Sequence, residues 1–110
     1  MDVLITGAAG FIGSHVADAF LARGDTVAGL DNFNDYYDPG RKRANAASLT
    51  PNPRFTLHEA DVRDADAVEH VCTGGHFDAV VHLAAMAGVR YSVERAPLYV
   101  DVNVQGTVNL

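Results

Sequence analysis

The chain has 110 residues, of which 48% are hydrophobic and 20% charged, and it carries a formal net charge of −6. This length allows one domain at most, and the acidic balance excludes the basic surface that binds nucleic acids or acidic membranes. The lone cysteine, Cys72, excludes an intrachain disulfide, and no apolar run reaches the ~20 residues that a membrane-spanning helix needs. We therefore expect a globular cytoplasmic protein without a nucleic-acid partner.

Short apolar runs alternate with amphipathic stretches along the chain, which is typical of βαβ units on a parallel sheet. The apolar runs predict four strands, at residues 3–5, 26–30, 54–59 and 79–83. The first is a continuous apolar run, as expected of a strand that is covered on both faces. The third alternates between apolar and polar residues, which indicates a position nearer to the edge of the sheet.

The amphipathic stretches predict helices at residues 12–23, 41–49 and 64–73, and a last helix with Pro97 in its first turn. Apolar residues that recur every four positions define the predicted buried stripes of the first and last helices: Ile12, Val16 and Phe20, widened by Ala17 and Leu21, and Val100, Val104 and Val108. The helical spacing continues to Leu110 without a stop signal. We expect the chain to be cut inside this helix, so that residues 1–110 form the N-terminal part of a larger domain.

Three glycines, Gly7, Gly10 and Gly13, lie between the first predicted strand and the helix that follows it. In this context the first glycine suits a tight turn, the second lets a ligand approach the backbone, and the third lets helix and strand pack closely. The amides around Phe11 and Ile12 would then face a pyrophosphate, assisted by the helix dipole. A plain turn with close packing remains the alternative, because the first two glycines are one residue further apart than in the standard dinucleotide motif.

An acidic residue, Asp31, directly follows the second strand and lies 18 residues beyond Gly13. This interval is close to that of the acid that binds a ribose 2′-hydroxyl in dinucleotide-binding domains. A carboxylate there repels a 2′-phosphate, which favours NAD over NADP; a solvated turn aspartate is the alternative.

Asp61 and Val62 end the third predicted strand at the same edge of the sheet. At that edge an aspartate suits the adenine amino group and a valine suits the adenine ring. The alternative for Asp61 is a helix cap or a loop position.

Five segments, in this order, resemble the extended short-chain dehydrogenases and, among them, the nucleotide-sugar epimerases and dehydratases. They are residues 6–15 (TGAAGFIGSH), 30–34 (LDNFN), 60–64 (ADVRD), 82–85 (HLAA) and 101–107 (DVNVQGT). Two further stretches, residues 31–38 (DNFNDYYD) and 87–92 (AGVRYS), are most similar to UDP-glucuronate 4-epimerases. The resemblance implies an α/β fold with a Rossmann-type doubly wound parallel sheet, of which this chain holds about four strands.

The same resemblance implies roles for individual residues. Those that would hold NAD are Gly7, Gly10, Phe11, Ile12, Gly13, Asp31, Asn32, Asn34, Asp61, Val62, Leu83, Ala84, Ala85 and Asn103. Arg90 would lie at the nucleotide-sugar pocket, where a guanidinium suits a carboxylate or a phosphate. Ordinary surface positions remain the alternatives for Asn103 and Arg90.

The resemblance also implies an enzyme that oxidises a sugar hydroxyl with NAD and returns the hydride to the opposite face, and that works as a homodimer. Enzymes of this kind use a Tyr-x-x-x-Lys pair, in which the lysine lowers the pKa of the tyrosine. None of the four tyrosines is followed four residues later by a lysine, and the only lysine is Lys42. We therefore assign no catalytic residue and expect residues 1–110 to be inactive alone.

Two other functions stay open on the sequence: a nucleotide-sugar 4,6-dehydratase or decarboxylase, and a non-catalytic sensor that binds NAD. A third alternative is that this piece does nothing alone, because a sheet without later strands exposes one edge. A metal site at His70, Cys72 and His76 would lack a second pair of ligands, so we assign none. His82 lies on a buried predicted strand and is interpreted as a core histidine rather than a base.

Overall fold

The computed structural model describes residues 1–35 and 38–110. Its strands form one parallel sheet in the order β3-β2-β1-β4, and they are β1 (Asp2–Thr6), β2 (Thr26–Asp31), β3 (Phe55–Glu59) and β4 (Ala79–His82). The helices are α1 (Phe11–Ala22), α2 (Pro39–Leu49), α3 (Ala65–Gly74), α4 (Val89–Glu94), α5 (Ala96–Val100) and α6 (Gly106–Asn109). A π-helical turn (Asp101–Gln105) joins α5 to α6, and we call residues 96–109 the final helical segment. The predicted parallel α/β sheet is confirmed, and Tyr36 and Tyr37 lie outside the described residues.

The first strand lies at the centre of two hydrophobic cores because its side chains alternate between the faces of the sheet. Val3, Leu4 and Ile5 are all 0% exposed. The side chains of Val3 and Ile5 pack on one face with α1, whereas Leu4 packs on the other face in the core that includes Val71 of α3. Burial on both faces explains why this strand is a continuous apolar run.

The buried face of α1 differs by one residue from the predicted stripe. Ile12 is 63% exposed, whereas α1 buries Ala17 and Leu21 as predicted, together with Gly13 and Ser14. Val16 and Phe20 pack partly buried against the core. A Cβ on Gly13 would lie 2.0 Å from the carbonyl oxygen of Gly7, so α1 approaches the end of β1 more closely than any side chain permits. This contact brings the first turn of α1, with Gly13 and Ser14, directly against the end of β1.

The final helical segment confirms the predicted last helix, but the predicted buried stripe is wrong. Val100, Val104 and Val108 are 57%, 58% and 71% exposed. Val102 and Gly106 are buried instead, and a Cβ on Gly106 would lie 2.6 Å from a methyl group of Val62. Close packing at Gly106 therefore decides which face of the final helical segment packs against the core.

The helix α4 was not predicted, because six residues are too few to show a helical repeat. In the part of the chain that the structure describes, β4 pairs with β1 alone, and its Val80 side chain is 47% exposed. Across residues 1–35 and 38–110, no helix combines the length and the apolar character that crossing a membrane requires.

The contact between Gly13 and Gly7 leads to a prediction about stability. Gly13→Ala is expected to lower the free energy of unfolding by about 3 kcal/mol. The new methyl group would overlap backbone that cannot move without displacing residues 7–10, which join β1 to α1 and which we call the glycine loop. Gly74→Ala is the matched control, since a Cβ there meets nothing within 4 Å. Urea denaturation should show the control unchanged or stabilised by about 0.5 kcal/mol. Equal effects of the two substitutions would contradict the close approach.

Candidate functional site

A cleft of about 390 Å³ lies at the edge of the sheet where the parallel strands end. Ligands of open α/β sheets bind at this edge, because the loops that follow the strands converge there. The residues that line the cleft are Gly7, Gly10, Phe11, Ile12, Gly13, Leu30, Asp31, Asn32, Asn34, Lys42, Ala60, Asp61, Val62, Leu83, Ala84, Ala85, Ala87 and Val102. This set includes every residue predicted to bind the cofactor except Asn103.

The glycine loop packs directly against the backbone that follows β4. Gly7 has a φ of +71°, which L side chains rarely adopt, and a Cβ on it would lie 2.9 Å from the amide nitrogen of Ala84. The amide of Gly7 also donates to the carbonyl of Leu30 at 2.8 Å, which ties the loop to β2. The loop thus joins the ends of β1, β2 and β4 into one wall of the cleft.

The N-terminus of α1 opens into this cleft. Its N-cap is Gly10, and neither a side-chain cap nor an acidic first-turn residue occurs there among the described residues. The N–H groups at the start of a helix have no partner within the helix, and the helix dipole makes this end positive. Phe11 and Ile12, which begin the helix, are 73% and 63% exposed and line the cleft. The arrangement fits a phosphate group without any basic side chain.

Asp31 ends β2 opposite the glycine loop and is held from two directions. One carboxylate oxygen accepts the amide of Ala9 at 3.1 Å, and the other accepts the amide of Phe33 at 2.8 Å. Asp31 is only 5% exposed, so the alternative of a solvated turn aspartate does not describe this structure. Because a carboxylate oxygen accepts more than one hydrogen bond, Asp31 keeps acceptor capacity for a hydroxyl in the cleft.

Sequence reasoning missed Lys42 as a residue of this site. Its Nζ lies 3.5 Å from an oxygen of Asp31 and donates to the side-chain oxygen of Asn34 at 2.9 Å. Lys42 is 6% exposed and occupies the buried face of α2 together with Ala46 and Leu49. A lysine in phase with apolar residues of an amphipathic helix is the signal that could have identified it.

The turn after Asp31 has a strained backbone. Phe33 is the only non-glycine residue with positive φ among residues 1–35 and 38–110, at +53°, and its ring is buried. The guanidinium of Arg43 lies 3.8 Å from the centre of this ring, within the range of a cation–π contact. The amide of Asn34 donates to the side chain of Asn32 at 3.1 Å. These contacts hold Asn32 and Asn34 at the rim of the cleft despite the strain.

Asp61 lies at the far end of the cleft with its carboxylate already engaged. Arg63 donates to it at 2.6 to 3.0 Å, and the amide group of Asn32 donates at 3.1 Å. Burial raises the pKa of Asp61, but the hydrogen bonds from Arg63 and Asn32 outweigh burial and lower this pKa to about 2. The next residue, Val62, is 4% exposed, and its carbonyl accepts the side-chain amide of Asn109 at 2.8 Å. Asp64 caps α3, because its side chain accepts the amide of Ala67.

Two predicted site residues lie outside the cleft. Both groups of the Asn103 side-chain amide bond to the backbone of Met86, at 2.8 and 3.0 Å, so Asn103 fixes the segment after β4. Arg90 is exposed on α4 and does not line the cleft. No group of three or more potential metal ligands occurs in the described part of the chain.

The sequence matches the profile of the family described as GDP-mannose 4,6 dehydratase over residues 4–110. It is 52% identical to UDP-glucuronate 4-epimerase 3 of Arabidopsis thaliana over 99% of this chain and 25% of that protein. It is also 40% identical to protein CapI of Staphylococcus aureus over 100% of this chain and 33% of that protein. The chain therefore spans only a quarter to a third of the length of these curated relatives.

Solved structures match the whole chain as well. The UDP-glucuronic acid 4-epimerase of Bacillus cereus, in complex with UDP-glucuronic acid and NAD, superposes with a TM-score of 0.88 and 38% identity, over 100% of this chain and 35% of that one. The UDP-glucose 4-epimerase of Thermus thermophilus in complex with NAD gives 0.84 and 39%, over 100% and 32%. These similarities confirm the predicted Rossmann-type fold.

The contacts of Asp61 lead to a prediction about its titration. Arg63→Ala is expected to raise the pKa of Asp61 from about 2 towards the ordinary aspartate value of about 3.9, because the strongest donors to the carboxylate are removed. In the unchanged protein the pair stabilises the fold above pH ~4, and this contribution is lost as the pH falls through the depressed pKa. Carboxyl carbon NMR titration measures the shift.

Arg54→Ala is the control, because Arg54 donates to the carbonyl of Gly24, away from the cleft. A pKa of Asp61 that stays near 2 in Arg63→Ala would show that the guanidinium does not set it.

Proposed function

Because the chain belongs to the GDP-mannose 4,6 dehydratase family, we propose that it is the NAD-binding portion of a nucleotide-sugar 4-epimerase that acts on UDP-glucuronate. The observation that carries this proposal is the position of Asp31. Its buried, hydrogen-bonded carboxylate lies in the same cleft as the uncapped N-terminus of α1. A phosphate-binding helix end and a ribose-binding acid in one cleft fit a dinucleotide with a free 2′-hydroxyl.

The described residues divide the cleft into regions that suit successive parts of NAD. The first-turn amides of α1 would bind the pyrophosphate, and Asp31 would accept from the adenosine ribose. Asp61 and Val62 would meet the adenine, where Arg63 leaves the aspartate charged at neutral pH. When bound, NAD would reversibly accept the hydride from the C4 carbon of the sugar as the C4 hydroxyl is oxidised to a ketone. Asn103 is proposed to position the backbone beside the cofactor through Met86.

UDP-glucuronate is favoured as the substrate by similarity to named relatives, because UDP-glucuronate 4-epimerase 3 of Arabidopsis thaliana shares 52% of the aligned residues. Arg90 is proposed to meet the nucleotide-sugar. The Tyr-x-x-x-Lys pair that the family resemblance implies is absent from the sequence. We propose that the catalytic pair is contributed by a part of the protein other than residues 1–110.

We further propose a cytoplasmic homodimer without a nucleic-acid partner. The exposed valines of the final helical segment, Val100, Val104 and Val108, support a partner surface because they form an apolar row on one helix. The net charge of −6 argues against binding to nucleic acid.

Replacing Asp31 tests the proposed ribose contact. In the full-length protein, Asp31→Ala should weaken NAD binding at least about tenfold, since a charged acceptor for the ribose is lost. Isothermal titration with NAD measures the change. Asp18→Ala removes the same charge from an exposed position on α1 and should leave the affinity unchanged. Equal NAD affinity in Asp31→Ala and the unchanged protein would exclude the ribose contact.

The missing tyrosine–lysine pair gives a second test. Residues 1–110 alone should not convert UDP-glucuronate to its C4 epimer, because no Tyr-x-x-x-Lys is present to move the hydroxyl proton. Chromatography of the UDP-sugars after incubation with NAD measures conversion, and the full-length protein is the positive control. Turnover by residues 1–110 would overturn the proposal that the catalytic pair lies elsewhere in the protein. Absence of turnover by the full-length protein would overturn the proposed reaction.

A further inference from the structure

A histidine connects the cleft to the final helical segment. His82 is the last residue of β4 and pairs in register with Thr6, the last residue of β1. Its Nδ1 lies 2.6 Å from the hydroxyl oxygen of Thr6, and its Nε2 lies 3.0 Å from the hydroxyl oxygen of Thr107. The imidazole therefore bridges two hydroxyl groups that belong to different elements.

The hydrogen bonds of Thr6 determine its role towards the imidazole. Its hydroxyl oxygen accepts the amide of Leu83 at 3.0 Å and the amide of Ala84 at 3.1 Å. These two bonds use both acceptor sites of a hydroxyl, so the third contact is the one in which its single proton is donated. Thr6 accordingly donates to Nδ1 of His82, which must be unprotonated.

The other side of the ring leads to the same assignment. The hydroxyl of Thr107 donates to the carbonyl of Asn103 at 2.7 Å, so its proton is already used. Towards His82 the oxygen of Thr107 accepts, and Nε2 carries the hydrogen. Both hydroxyl groups thus select the neutral imidazole with its proton on Nε2.

We propose that His82 is a positioning residue whose neutral Nε2–H form holds the Leu83–Ala84 backbone against the glycine loop, so that protonation of His82 weakens dinucleotide binding. The statement that protonation weakens dinucleotide binding rests on the proposed function, whereas the protonation state of His82 does not. The same hydroxyl of Thr6 that donates to His82 orients the two amides that follow β4.

The glycine loop transmits any change at this position. A Cβ on Gly7 would lie 2.9 Å from the amide nitrogen of Ala84 and 3.0 Å from the carbonyl carbon of Leu83, so loop and strand end are in tight contact. Leu83 and Ala84 also line the cleft. If Nδ1 gained a proton, Thr6 could no longer donate to it and would turn away, and the two amides would lose their fixed acceptor.

The surroundings of His82 favour the neutral form at physiological pH. Burial lowers the pKa of His82 below its ordinary value, and no charged side chain of the described residues offsets this effect. The groups that face the ring, Thr6 of β1 and Thr107 of the final helical segment, are uncharged hydroxyls. Because the pKa of this base is lowered in the folded state, stability and binding are greatest above pH ~6.5 and fall as the pH drops towards the lowered pKa.

Imidazole nitrogen NMR of the unchanged protein tests the assignment without any ligand. The spectrum at pH 7.5 should show His82 with a protonated Nε2 and an unprotonated Nδ1, identified by through-bond correlation of the ring with the sequentially assigned backbone of residue 82. A proton on Nδ1, or a charged ring at that pH, would overturn the proposal. This measurement stands even if a substitution prevents folding.

NAD affinity as a function of pH tests the coupling. In the full-length protein, affinity should fall about threefold from pH 8 to pH 5.5, because only the fraction with neutral His82 binds well. His82→Asn places an oxygen near the position of Nδ1 and does not titrate. Because Thr6 keeps an acceptor and only the bond to Thr107 is lost, this variant should bind NAD within about threefold of the unchanged protein at pH 8, with a pH profile that is flat over this range.

The control is His70→Asn, which changes an exposed histidine of α3. The NAD affinity of this variant should still fall between pH 8 and pH 5.5. If the NAD affinity of His82→Asn still falls at acidic pH, protonation of His82 does not control dinucleotide binding, and the proposal is overturned. Failure of the unchanged protein to bind NAD at any pH would overturn the proposed function and the coupling together, whereas the NMR result would still decide the protonation state of His82.

Discussion

The close approach of the turn after β1 to the helix that follows it is the constraint on which the rest of the structure depends. No Cβ fits at Gly13, because it would lie 2.0 Å from the carbonyl oxygen of Gly7. This contact aims the N-terminus of α1 at the strand ends, and it also turns Ala17 and Leu21 into the core. One steric requirement therefore sets both the packing of the first helix and the direction of its unpaired amides. A helix end that suits a phosphate group, as proposed above, follows from the way the helix packs.

Asp31 is the second point at which fold and site coincide. Burying a carboxylate is costly unless it is paired and hydrogen-bonded. The amides of Ala9 and Phe33 and the nearby ammonium of Lys42 meet this requirement, and each comes from a different segment. The carboxylate consequently ties the glycine loop, the turn after β2 and α2 together before any ligand is present. Its orientation is fixed in advance, which reduces the ordering that a bound ribose would otherwise require.

The sequence predicted those features that depend on local order. The four strands, the glycine loop and the interval to Asp31 are read from consecutive residues, and each strand of the structure agrees with the expected bounds to within one residue. The prediction of which face of the final helical segment is buried was wrong, because that face is set by the contact between Gly106 and Val62, which are far apart in the chain. Lys42 and the pairing of Asp61 with Arg63 were missed because a charged side chain gives no periodic signal of its partner. Local patterns thus predict which elements form, whereas long-range contacts decide which of their faces meet.

Hydroxyl groups and amides, rather than charges, make the remaining links between the elements around the cleft. Thr6 holds the end of β4, Asn103 holds Met86 in the segment that follows, and Asn109 holds Val62 at the wall of the cleft. Neutral hydrogen bonds of this kind are individually modest, but each would leave a partly buried backbone group unpaired if it were lost. Because His82 has one protonation state that satisfies both Thr6 and Thr107, it is the member of this set whose bonding depends on pH. The strand ends that form the cleft therefore keep their positions only while that ring stays neutral.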